Sequence, residues 1–200
     1  MSGETGKQLD HLDDEAARLV EENRRLKDEL DARNAAIQAL ADLNNLAHRI
    51  SRGTDSLRLL NEILRLSMTA VRASEGSLLL INPQTGGLVF TATSGGMADR
   101  LRHYEVPPGE GIAGWVAAHR QPQLVPEVRS DPRFFPRVDE ELGFETRSLL
   151  AVPLIDGDRV LGVLEAVNKT TDRAFNESDL ETMLVVAELA SAALMRGRKQ

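Results

Sequence analysis

An α+β domain with an antiparallel sheet, preceded by one long coiled-coil helix, is the fold class this sequence predicts. Three observations carry that reading. Residues 9–52 place apolar side chains at a period of roughly 3.5 residues, with no aromatic residue before Phe90 and no turn glycine between the N-terminal segment and Gly53. Beyond Thr54, apolar runs of strand length come in two pairs, each joined by turn residues, which is the pattern of hairpins. The 200-residue length leaves room for one ordinary domain and an extension. The expected organisation is an unordered N-terminus over 1–8, a coiled-coil helix over 9–52, one globular domain over 54–196 and a short tail over 197–200.

Setting heptad position a at Leu9 puts Ala16, Asn23, Leu30 and Ile37 at a, with Leu12, Leu19, Leu26, Arg33 and Leu40 at d. Such a seam asks for a second helix. Asn23 can bond its own copy across a parallel pair, and Glu22 at g faces Lys27 at the following e, the relation that joins opposite charges between parallel chains. The expected dimer contacts are therefore Leu19, Asn23, Leu26 and Leu30. Arg33 weakens the seam, and Leu43, Leu46 and Ile50 leave the frame, so the supercoil should loosen beyond Leu40.

Within the domain, Thr54 and Asp55 cap a helix reaching about Ser74, with Gly76 ending it. Ser77–Asn82 and Leu88–Ser94 form the first hairpin. Gly95 to Glu145 is looser, with a short strand at His103–Val106, a short helix at Gly111–His119, and a loop through Pro122, Pro126, Pro132 and Pro136. Loops of this length usually bind something. Arg147–Ile155 and Arg159–Asn168, joined at Asp156-Gly157-Asp158, form the clearest hairpin and should be interior strands. Glu177 to about Arg196 is helical, and its apolar face is too wide for one sheet to cover, so the remainder is expected to meet a partner helix.

Composition narrows the function. Acidic residues number 31 against 24 basic ones, a net charge of −7, so neither nucleic acid nor an anionic membrane is the expected partner. With no cysteine, the chain has no disulfide, thiolate metal site, thiol nucleophile or thioether-linked cofactor. The N-terminal residues lack a basic-then-apolar leader and no stretch approaches the roughly 20 apolar residues of a span, which predicts a cytoplasmic protein without membrane insertion. No Ser-His-Asp or Cys-His constellation stands out, so the expectation is a non-enzyme with no metal site. Gly109-x-Gly111-x-x-Gly114 spells a dinucleotide fingerprint, but Pro107-Pro108 precedes it where a buried strand is required.

The order helix, hairpin, loop-rich insert, hairpin, helix resembles a GAF domain. Three segments carry the likeness: Gly109–Val116 (GEGIAGWV), Gly143–Asn168, and Asn168-Lys169 followed by Phe175 and Asp179. The last is similar to the N-K…F-x-x-x-D-E signature of cyclic-nucleotide-binding GAF domains in phosphodiesterases and adenylate cyclases, with Leu180 in place of the final acid. The resemblance implies helices on one face of the sheet and a ligand-covering insert on the other. It also implies that Asn168, Lys169, Phe175 and Asp179 brace the fold rather than touch ligand. Independently, Phe175, Asn176 and Asp179 read as a staple and capping-box start to the last helix.

Carried over residue by residue, the family pattern nominates Ser77, Thr93, Ile112, Ala113, Thr146 and Glu165 as ligand contacts. The helix start at Gly111-Ile112-Ala113 suits an anion. Glu165 interrupts an apolar run and either faces a pocket or a solvated surface. Thr93-Ser94 stands where nucleotide-binding relatives offer an aromatic and an acid, so ring stacking is not expected there. These features imply a sensory homodimer, joined through the coiled coil and the domain's terminal helices, that signals to an effector the sequence does not name. No cofactor is required; a cyclic nucleotide, cAMP or cGMP, or another small ligand is the candidate occupant. Two alternatives stand beside it: a docking platform with a side-chain-filled pocket, and a haem or gas sensor using His103 or His119.

Overall fold

A computed structural model describes residues 2–49, 56–96, 101, 104–171 and 174–198. The chain divides into two units, residues 1–35 and 36–200. Helix α1 (Ser2–Arg49) begins at Ser2, so the segment expected to be unordered is helical from its second residue. No proline interrupts those residues, and extending an existing helix is far easier than starting one. In the first unit Leu12, Leu19, Leu26 and Leu30 are 53–60% exposed. In the second unit the same helix changes habit: Ala39 and Leu43 are buried, and Leu43 joins the domain core with Leu40 packed against it. Leu43, where the apolar positions leave the heptad frame, is thus the point at which α1 packs into the globular core.

Helix α2 (Ser56–Val71) buries Leu59, Leu60, Ile63 and Leu64 and leaves Arg65 outside. The predicted caps Thr54 and Asp55 lie outside the described residues. Gly76 does not end this helix. Arg72 does, in the left-handed conformation (φ 52°), its carbonyl accepting from the Thr170 N–H at 2.8 Å and the Thr170 hydroxyl at 3.0 Å. Gly76 instead lies inside strand β1 (Ala73–Ile81), where a Cβ would stand 2.2 Å from Met68 Sδ, so the residue lets α2 lie close on the sheet.

The remaining elements are β2 (Leu88–Ser94), β3 (Glu105–Val106), α3 (Gly111–His119), β4 (Gln123–Val125), α4 (Arg137–Leu142), β5 (Leu149–Asp156), β6 (Arg159–Lys169) and α5 (Glu177–Arg198). Six strands form one antiparallel sheet in the order β3-β2-β1-β6-β5-β4. Both strands of the second hairpin are interior. Pro153 is tolerated in β5 because the edge strand β4 pairs only with Leu149–Ala151, leaving that side open beyond.

Alternation along the strands divides the core. Leu78, Leu164 and Ala166 face α2, α5 and the end of α1, while Leu79 and Val163 face the insert with Ile112, Val116 and Val128. Helix α5 buries Met183, Val186, Ala187 and Ala190 yet leaves Leu184 and Val185 exposed. Among the described residues no helix is long and apolar enough to cross a membrane.

Candidate ligand-binding site

The insert does not close flush on the sheet. Between them lies a cavity of about 130 Å³. Its floor is set by the pairing of β1 with β6, which places Ser77 directly opposite Glu165. Glu165 is 9% exposed and lies on the insert face, flanked along the strand by Leu164 and Ala166 pointing the other way. The solvated-face alternative is thus excluded. Ser77 Oγ donates to Glu165 Oε2 at 2.5 Å, while among the described residues Glu165 Oε1 accepts no hydrogen bond. Burial pushes this carboxyl above its ordinary value, and the Ser77 hydroxyl offsets part of that rise.

Ile112 and Ala113 border the cavity at the start of α3. Their N–H groups belong to the first helical turn, which has no intrahelical partners. The three glycines that spell a nucleotide fingerprint build the approach: Gly109 (φ 77°) and Gly111 (φ 68°) turn the chain, and a Cβ on Gly114 would meet Gly109's backbone at 2.6 Å. Thr146 also borders the cavity, but its N–H and hydroxyl both donate to the buried Asp139 carboxylate, each at 2.7 Å. This pair staples α4 to the segment entering β5.

Thr93 departs from expectation. It pairs with Ser77 in register but is not among the residues lining the cavity; Ser94 is. β2 ends at Ser94 and the chain turns at Gly95 (φ 94°), so the strand's last residue borders the hollow. Aromatic side chains, not expected at the end of β2, reach the cavity from other positions. Four of the chain's five phenylalanines line the cavity, Phe90 from β2 and Phe134, Phe135 and Phe144 from the insert. Two adjacent phenylalanines in a proline-bounded loop need cover, and that was the available signal. Asp139 and Glu75 also line the site and were not anticipated.

The bracing residues sit elsewhere. Asn168 (φ 53°) accepts from the N–H groups of Arg147 at 2.7 Å and Ser148 at 3.3 Å, and donates to the Glu145 carbonyl at 2.7 Å, fixing the segment that holds Thr146. Lys169 pairs with Asp179, which accepts from the Asn176 N–H at 2.9 Å; Asn176 Oδ1 in turn accepts from Ser178 and Asp179. Phe175 is buried beneath Lys169. None of the four lines the cavity. Of the histidines, His103 lies outside the described residues, and His119 is exposed, stacked on Trp115 at 4.1 Å and away from the lining.

Residues 55–194 match the GAF domain family. The chain belongs to that family. Relatives include the dual 3',5'-cyclic-AMP and -GMP phosphodiesterase 11A of Takifugu rubripes, 33% identical over 92 residues, covering 45% of this chain and 10% of that protein. The cone cGMP-specific 3',5'-cyclic phosphodiesterase subunit alpha' of Bos taurus is 34% identical over 122 residues, covering 58% of this chain and 14% of the relative. This GAF chain thus matches only a small part of either enzyme. In fold it resembles the GAF domain of a Coxiella burnetii phosphoenolpyruvate-protein phosphotransferase, with TM-score 0.73, 20% identity, and coverage of 84% of this chain and 96% of that one. It also resembles the free methionine-R-sulfoxide reductase of Neisseria meningitidis, with TM-score 0.66, 21% identity, and coverage of 84% and 90%.

Proposed function

We propose that this GAF domain is a small-molecule-sensing regulatory module, not an enzyme, working in the cytoplasm as a homodimer joined by a parallel coiled coil of α1. The observation that carries the reading is the hollow between sheet and insert with Glu165 in its floor: a carboxyl buried in an otherwise apolar run weakens the fold, and its use is to meet a ligand. Ser77 and Glu165 would hold the ligand from the sheet, Ile112 and Ala113 from the helix start, with Thr146 at the margin.

β6 supplies the connection to α1. Glu165 faces the cavity, while its neighbours Leu164 and Ala166 share a core with Leu43 of α1. A ligand that favours one arrangement of the insert can bias that helix only through its different affinity for the two states. The exposed leucines of the seam support pairing of α1, and exposed Leu184 and Val185 support a second contact between the terminal helices of two domains. Sedimentation should find a dimer, and Leu19→Asp combined with Leu26→Asp should give single chains.

The two phosphodiesterase relatives are named for cAMP and cGMP, which makes those nucleotides the first ligands to try. Calorimetry with both and with cyclic dinucleotides, alongside thermal shift against a metabolite library, tests the reading. A true ligand at a hundred times its Kd stabilises the fold by about 2.7 kcal/mol. Silence throughout would leave the second reading, a docking platform, which the small cavity favours: typical ligand pockets begin near roughly 300 Å³.

A further inference from the structure

The polar groups around the cavity share one sign. Glu75, Glu110, Asp139 and Glu165 all line it, and among the described lining residues there is no lysine, arginine or histidine. Asp139 is satisfied by Thr146. Glu75 is not: its Oε1 accepts from the Gly96 N–H at 3.2 Å, but Oε2 is buried and, among the described residues, without a partner, as is the Ser94 Oγ that also borders the cavity. With Glu165 Oε1 this makes three acceptor-capable oxygens that nothing described donates to.

The apolar part of the wall has a sign as well. Phenylalanine faces carry negative charge density and attract cations. Four such rings beside carboxyls that no described lining residue compensates repeat one preference in two kinds of chemistry. Against it stands the start of α3, whose first-turn N–H groups favour an anion. An ionised carboxyl lining the same hollow opposes such an anion.

We infer that the cavity takes a small organic cation, an ammonium or amidinium nitrogen on a flat apolar body, with the nitrogen at Glu75 and Glu165 and the body against Phe134, Phe135 and Phe144. The inference rests on the cavity being a ligand site, and it changes the ligand class from the nucleotide that the relatives' names suggest. A one-ring body suits the volume, since a cavity of roughly 150 Å³ holds benzene. Binding draws Glu165 toward its charged form, so the complex releases protons.

The test compares benzylammonium, benzyl alcohol and benzoate, three probes of similar shape and different charge, by calorimetry and amide chemical shifts on the full chain. Benzylammonium should bind about tenfold tighter than the alcohol, with benzoate silent. Its heat should vary with the ionisation enthalpy of the buffer, as proton release requires. Glu165→Gln keeps an acceptor for Ser77, and Glu75→Gln leaves the floor intact; each should weaken benzylammonium about tenfold and leave the alcohol unchanged. Equal binding of the alcohol, tighter binding of benzoate, or indifference to both substitutions overturns the inference. Binding of a cyclic nucleotide with benzylammonium silent overturns it too, yet leaves the sensing function standing. If no probe, nucleotide or library compound moves a cavity resonance, the sensing function falls and takes this inference with it.

Discussion

On the helix side of the sheet the described residues bring 22 buried apolar side chains into one cluster, whereas the insert side brings 12 around a hollow. Composition differs more than size. The helix side's buried serines, Ser67 and Ser191, bond only the carbonyls of their own helices, and both buried carboxyls of the described chain, Asp139 and Glu165, lie on the insert side. One sheet thus keeps its stability on one face and its polar chemistry on the other. Consecutive residues of β6 belong to different tasks.

The sharpest test of that division is Leu164→Ala. This side chain is fully buried on the helix side, so its truncation should lower unfolding free energy by about 2–5 kcal/mol in urea titrations. A loss below about 1 kcal/mol would mean that the helix side is slack and the division false. On the opposite side Asp139→Ala should have a smaller effect, about 1–3 kcal/mol, because it leaves the N–H and hydroxyl of Thr146 without their acceptor. Its distinguishing mark is local: hydrogen exchange at the Thr146 amide should quicken far more than at Leu164. Uniform acceleration would show that the staple merely adds general stability.

The same division decides how much of the molecule is legible in the sequence. Strands covered on both faces read as near-continuous apolar runs, so β5 and β6 are found from the two arms around Gly157, while β2 shows the alternation of a half-buried strand. The position of Glu165 is legible as a break in such a run, but its direction is not, because a shift of one residue in register moves a side chain to the other face. Gly76 misleads for a related reason: a glycine required by close packing looks the same as one that ends a helix. The roof is harder still. Phe134 and Phe135 come from a turn and Asp139 from the short helix α4, and their placement over the sheet depends on tertiary contacts such as Asp139 with Thr146, which no local period encodes.

Two glutamates give the finest comparison, since they should answer pH with opposite signs. Glu165 is held above its ordinary 4.5 by burial. Below that pH it carries its proton folded or unfolded; above it the unfolded chain releases the proton while the folded chain keeps it, so the native state loses ground as pH rises. Glu165→Gln should therefore match the parent protein near pH 4 and gain stability over it as pH rises above 4.5. Glu62, on the outer side of α2, is held below 4.5 chiefly by its hydrogen bonds to Arg65, at 2.7 and 3.1 Å. It contributes above 4.5 and loses that contribution as pH falls through its folded value. Because the pair is substantially exposed, Glu62→Gln should cost only about 0.3–0.5 kcal/mol at neutral pH, and 1 M salt should erase most of it. Urea midpoints of both variants from pH 4 to 8 separate the cases. Were the two curves to move together, Glu165 would be ionised in the native state, and the floor of the cavity would hold a compensating charge that none of the described lining residues supplies.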